Sequence, residues 1–270
     1  MAIITLSRGS YVKGKEIAEK VAKNLGYDCI SREVILEASD RFNIPEIKLI
    51  KAIHDAPPVL ERFGHGKTAF VAFYQSALAR AVQKDNVVYH GLAGHLLLPG
   101  IPHILKVRIS ADLAFRIANE MEASGMGEKE ARDMILKDDE ERRNWTKSLY
   151  GVDPWDSSLY DLTLCIDKFT VEDAVDFISR AACFEKFKTT KESTQKMKDL
   201  VLACEVKAEL VEHEFDVAVT SEYRNVIIYT KAGGRALKKL EQKAAQLAKQ
   251  ITDINHIEVH PGIAHPRNAV

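Results

Sequence analysis

The chain has 270 residues, 46% hydrophobic and 29% charged, the make-up of an ordinary soluble globular protein and unlike a disordered, collagen-like or membrane-bundle chain. Its 38 Lys plus Arg against 39 Asp plus Glu leave a net charge of -1, so no global field draws nucleic acid or anionic lipid, and any phosphate binding has to be local. No basic-then-apolar leader opens the sequence, no apolar run approaches a membrane span, and Cys29, Cys165, Cys183 and Cys204 form no C-x-x-C pair; buried thiols, a reducing compartment and the cytoplasm are therefore expected.

In chain order, short β-branched runs over 2–6, 27–30, 86–90, 103–110 and 160–167 read as strands. Between them, apolar residues recur at three- and four-residue steps over 15–25, 33–42, 68–84, 112–123, 128–149 and 171–182, the mark of helices. Strands alternating with helices predict β-α-β units in a five-stranded parallel sheet. Thr170, three residues before Asp173, reads as a capping box opening the helix at 171. From 184 to 196 the sequence turns polar and predicts a linker. The order then changes to helix 198–213, strands 216–221 and 224–231, helix 235–252 and strand 256–260. That is a small α+β unit of order α-β-β-α-β over residues 197–262. The tail 263–270 is expected to fray.

Chemistry concentrates where the first strand meets the first helix. Gly9 to Lys15 satisfies G-x-x-x-x-G-K in that setting, the context in which the pattern marks a phosphate-binding loop. A loop entering a helix aims backbone N–H groups inward, where the helix dipole also favours negative charge. Gly9, Ser10, Gly14, Lys15 and Glu16 are the candidate phosphate-binding residues. Lys15 would neutralise charge developing on the transferring phosphoryl group. Glu16 stands where a Ser or Thr usually holds Mg²⁺; it either ligates the metal or, as we expect, points outward as a first-turn acid.

A second string, Gly64-His-Gly66-Lys67-Thr68, imitates the end of the same motif, but Glu61 replaces its leading glycine and no strand precedes it. With Asp55, Arg62 and Lys67 it makes a polar cluster suited to holding an acceptor, or else a solvated surface. Further on, Gly125 and Gly127 break a long helical stretch into two arms, with Arg116 on the first and Asp139, Arg142 and Arg143 on the second. This is the outline of a hinged lid, with arginine forks able to bridge phosphate oxygens; a solvated face laced with ion pairs is the plainer alternative.

With these residues in view, residues 1–183 resemble the cytidylate kinase-like family of P-loop nucleoside monophosphate kinases. The resemblance runs in order through Lys15-Glu-Ile-Ala-Glu-Lys-Val-Ala22, Arg32-Glu33, Asn86-Val-Val-Tyr-His-Gly91, Ile104-Leu-Lys-Val-Arg-Ile-Ser-Ala111, Arg116, Asp139-Glu-Glu-Arg142 and Tyr160-Asp161. It implies a three-layer P-loop fold, ATP as donor, Mg²⁺ as cofactor and a pyrimidine nucleoside monophosphate, CMP or dCMP, as acceptor. It places Gly14 and Lys15 in the phosphate loop, Arg116 at the lid entrance, and Asp139 with Arg142 in the lid; the catalytic candidates are Lys15, Arg116, Arg142 and Arg143. The family usually carries glycines in the loop, an aspartate at the position of Ser31 and an arginine at that of Leu92. These departures open a second reading, a nucleotide-binding regulator without turnover. Residues 197–262 resemble a BON domain through Val201-Leu-Ala-Cys-Glu-Val-Lys-Ala-Glu-Leu210, Val217-Ala-Val219, Asn225-Val-Ile-Ile228 and Ile257-Glu-Val259. That resemblance implies a binding role, to a small ligand or a protein partner.

Overall fold

The apolar run at the start of the chain forms the middle strand of a parallel sheet. A computed structural model describes residues 2–8, 11–31, 33–42, 67–91, 93–213, 215–266 and 268–270. The strands are β1 (Ile3–Arg8), β2 (Asp28–Ile30), β3 (Val87–Tyr89), β4 (Ile104–Ser110) and β5 (Leu162–Cys165), in the order β2-β3-β1-β4-β5, with every neighbouring pair parallel. Each parallel step needs a crossover, which the intervening helices supply.

The helices of this part are α1 (Tyr11–Leu25), α2 (Glu33–Phe42), α3 (Lys67–Val82), the single turn α4 (Gly94–Leu97), α5 (Leu113–Ser124), α6 (Glu128–Tyr150) and α7 (Val171–Ala182). Side chains alternate across the strands, and the two faces build separate cores. Ile4, Leu6, Leu105 and Val107 pack with Ile17 and Val21 of α1 and Ile178 of α7. Ile3, Val87, Tyr89 and Ile104 pack with Phe73 and Leu78 of α3. Burial on both faces explains why these strands read as nearly unbroken apolar runs. The expected capping box is present at α7, where Thr170 and Asp173 exchange hydrogen bonds.

Beyond α7 lie α8 (Lys191–Glu212), β6 (Val217–Glu222), β7 (Asn225–Thr230), α9 (Gly234–Gln250) and β8 (His256–Pro261), the predicted α-β-β-α-β order. β6 and β7 form an antiparallel hairpin and β8 pairs parallel to β7. The hairpin turn, Tyr223-Arg224, takes φ of +47° and +68° without a glycine or asparagine. Asp199 of α8 secures it by accepting both turn N–H groups, at 3.0 and 2.9 Å.

Four expectations are corrected. α1 starts at Tyr11, not at residue 15. The segment 184–196 is not an extended linker: it holds a 3-10 turn, Glu185–Phe187, and the first turns of α8, opened by a Thr190–Ser193 capping box. Its polarity belongs to a solvated helix start, and burial begins in earnest only at Met197. The tail does not fray at its end, because Val270 is buried and exchanges both backbone hydrogen bonds with Val219, at 3.0 and 3.1 Å. Of the four cysteines only Cys204 is buried; Cys29 is half-buried, Cys165 and Cys183 are exposed, and all four are free thiols.

α8 also closes the α3 side of the parallel sheet, so Leu200, Cys204 and Val211 belong to the same apolar cluster as Phe73 and Leu78. Glu205 of α8 holds Arg41 of α2 at 2.7 Å and Arg80 of α3 at 2.6 Å. Among the described residues no helix is long and apolar enough to cross a membrane.

Candidate functional site

In an open parallel sheet ligands gather outside the carboxyl ends of the strands, at the point where the strand order reverses. Here that point is the end of β1, flanked by β3 and β4. β1 passes into α1 through Gly9 and Ser10, which lie outside the described residues. Because α1 starts at Tyr11, its unpaired N–H groups belong to residues 11–14, and Lys15 stands one turn inside. Gly14 is buried. The Lys15 side chain is 62% exposed, with Nζ 3.6 Å from Glu19. Glu16 pairs with Lys20 at 2.8 Å, and the same ammonium reaches Glu172 of α7 at 2.7 Å. Glu16 therefore lies along the helix side, the outward orientation expected of it.

The ends of β2 and β3 are tied together by Ser31, whose hydroxyl donates to the His90 carbonyl at 3.1 Å. Its N–H donates to Glu33, and this bond holds the Glu33 carboxyl below the ordinary carboxylate range. After β3 the chain folds tightly over the Tyr89 ring. A Cβ at Gly91 would collide with Tyr89 Oη, and one at Gly94 would meet Tyr89 Cδ1 at 2.5 Å. Tyr89 Oη lies 2.7 Å from Tyr74 Oη.

His95 follows directly, buried, with its ring 4.5 Å from that of Tyr160 and no hydrogen-bond partner for either ring nitrogen among the described residues. Arg108 of β4 also reaches this group, with its guanidinium 5.7 Å from the Tyr160 ring, and donates to the Pro154 carbonyl at 2.7 Å. Neither His95 nor Arg108 stood out in the sequence; the one available signal was the Gly91-x-x-Gly94-His95 spacing after an apolar strand.

The two arms read from the sequence are the helices α5 and α6, joined at Gly125, whose φ of +72° ends α5. Ile117, Ala131 and Ile135 give the arms a small core of their own. Arg116 and Asp139 meet as a bidentate pair, Nη1 to Oδ2 at 2.6 Å and Nη2 to Oδ1 at 2.8 Å, both largely buried. Arg142 lies one turn beyond Asp139, and its carbonyl accepts the Thr146 hydroxyl. Arg143 faces Asp153, with Nε at 2.9 and 3.1 Å, and its guanidinium sits 4.5 Å from the Trp155 ring. The Asp153 carboxyl is held well below its usual range, chiefly by that guanidinium. Thus the fold joins Arg116 to Asp139 and brings Arg143 to a partner the sequence had not singled out. It does not link Lys15 to the lid through any ion pair among the described residues. Asp55 and Arg62 lie outside those residues, and Lys67 opens α3.

Residues 3–168 match the cytidylate kinase-like family. The chain belongs to this family. A cytidylate kinase of Methanopyrus kandleri is 28% identical over 109 residues, which are 37% of this chain and 56% of that protein. The chain thus spans about half the length of that relative. A solved structure of an uncharacterized protein from Eubacterium ventriosum superimposes with a TM-score of 0.53 at 21% identity, over 67% of this chain and 97% of the other. A shikimate kinase from Bacteroides thetaiotaomicron aligns over 67% of this chain and 97% of its own, at 15% identity and a TM-score of 0.41. This cytidylate kinase-like chain continues past the matched residues into α7, α8 and the three-stranded sheet.

Proposed function

We propose that this protein transfers the γ-phosphoryl group of ATP to a nucleoside monophosphate, with CMP or dCMP as acceptor. The observation that carries the reading is membership of the cytidylate kinase-like family across the whole parallel-sheet part of the chain. The donor phosphates would lie on the β1–α1 turn, held by Gly9, Ser10 and Gly14 amides and by the Lys15 ammonium. Arg116, Arg142 and Arg143 would supply positive charge over the transferring group, with Asp139 fixing the Arg116 fork. Asp55, Arg62 and Lys67 are the candidate acceptor contacts. A phosphate acceptor is already ionised at neutral pH, so catalysis needs position and charge rather than a general base.

Among the described residues no three His, Cys, Asp or Glu side chains converge as a metal cage, and Glu16 is committed to Lys20. The described residues fit Mg²⁺ as an ion carried on the ATP phosphates, where it would offset their charge. Cytoplasmic ATP is the proposed donor pool. The C-terminal α-β-β-α-β unit is proposed as a BON-like module that senses a ligand or contacts a protein.

The second reading, a nucleotide-binding regulator without turnover, is favoured by one observation: Lys15 stands a turn inside α1 with Glu19 beside it. Diphosphate product is to be measured from Mg-ATP with a panel of monophosphates, for the wild type and Lys15→Ala. Phosphoryl transfer predicts product with CMP or dCMP and a loss of at least about 100-fold in kcat for the variant. ATP binding with no Lys15-dependent product for any monophosphate supports the regulator instead.

A further inference from the structure

At the end of the molecule distant from the β1–α1 turn, the β6–β7 hairpin borders a cavity of about 660 Å³, a size that suits a small molecule. Leu200 and Ala203 of α8 and Ile101, just before β4, give it apolar walls; Ser221, Asn268 and Val270 line the side along β6. Its charged groups are Lys196, Glu222 and Asp199, the last with its carboxylate taken up by the Ser221 hydroxyl and the Tyr223 and Arg224 amides, which leaves it without the excess positive charge a phosphate or nucleotide tail requires.

The backbone of β6 supplies what the side chains do not. A two-residue turn places Glu222 opposite Asn225, and this closing pair of the hairpin is hydrogen-bonded across it. Alternation then turns the N–H and C=O of Val217, Val219 and Ser221 away from β7, toward the free edge. Val270 demonstrates the edge directly by exchanging both bonds with Val219. Ser221, the next residue of that set, lines the cavity, and among the described residues no backbone partner meets it from the edge. Because Val270 already occupies the middle of β6, a whole strand has no room to add. What remains open among the described residues is one donor and one acceptor side by side in a small-molecule-sized space, with Leu200, Ala203 and Ile101 as its apolar wall and polar side chains over the rest.

We propose that this cavity binds a compact, uncharged cyclic amide of the lactam or pyrimidine-base type. The ligand N–H would donate to the Ser221 carbonyl and its C=O would accept from the Ser221 N–H, as Val270 does at Val219, while the ring packs on Leu200, Ala203 and Ile101. The site is separate from the proposed phosphoryl-transfer site, so either assignment can fail without the other.

The test is a titration of the ¹⁵N-labelled full-length protein with uracil at millimolar concentration, followed by amide chemical shifts. 1,3-Dimethyluracil, which has the same ring and no N–H, is the control. Uracil is expected to shift the amides of Ser221, Tyr223 and Asn268, and dimethyluracil to leave them in place. Ser221→Pro removes the donor at an edge position, where proline is tolerated, and should weaken uracil about tenfold. Asn268→Trp, which fills the cavity mouth from an exposed position, should weaken it comparably even if the strand variant misfolds. Three outcomes overturn the proposal: no shifts with uracil, equal shifts with both compounds, or shifts from a short extended peptide such as acetyl-trialanine amide where uracil gives none.

Discussion

His95 shows how much a single position can carry. Burial, with Lys106 and Arg108 nearby, pushes its imidazole down to about 3. The unfolded chain, with an ordinary imidazole near 6.5, therefore takes up a proton first as the pH falls. The contribution of His95 to stability is fully present above about pH 6.5 and is lost as the pH drops from there toward 3, on the order of 4 kcal/mol by pH 3.5. Urea unfolding at a series of pH values should show this acid limb in the wild type and a flatter one in His95→Phe. An unchanged limb in the variant would place the acid sensitivity elsewhere. Nothing in the local sequence hints at this residue's environment, because burial of a polar ring against Tyr160, near Lys106 and Arg108 of β4, is a property of the packed sheet. Arg116 and Asp139 differ in this respect: both were singled out in the sequence, and the fold added that each is the other's partner.

At the scale of elements, most of what formed was periodic and therefore readable. The parallel strands and the capping box at Thr170 follow from local pattern, since apolar runs and a Thr-x-x-Asp spacing need no distant partner. The β6–β7 turn is different. Tyr223 and Arg224 are poor residues for two consecutive positive φ angles, and Asp199, from an earlier helix, makes the turn tenable by accepting both N–H groups, the Ser221 hydroxyl and the Gln195 amide. Asp199→Ala should cost about 2 kcal/mol in thermal or denaturant unfolding, because two turn donors lose a charged acceptor. Amide exchange at Tyr223 and Arg224 should quicken with it. If exchange at these two amides is unaltered, Asp199 is not what holds the turn.

For the whole molecule, the decisive contact is α8 against α3. It merges the apolar face of the parallel sheet with that of the three-stranded sheet into one cluster, and Glu205 adds a carboxylate shared by two arginines. A chain ended after residue 183 would bare the α3 face that Leu200, Cys204 and Val211 cover. We expect that fragment to be insoluble or to lose its near-ultraviolet circular dichroism, and the full chain to unfold in one transition. A well-folded fragment with sharp cooperative melting would show that α8 is dispensable to the parallel sheet.

The sequence by itself determined the parallel α/β part, the order of the C-terminal elements and the break between two helices at Gly125 and Gly127, because periodicity, turn residues and short motifs act within a few positions of one another. Tertiary structure alone decided that 184–196 leads into a docked helix, that Val270 pairs with β6, and that His95 is buried without a hydrogen-bond partner among the described residues. Each of those depends on surfaces brought together from more than 40 positions apart, and the free energy of such contacts resides in desolvation and shape, which no local pattern encodes.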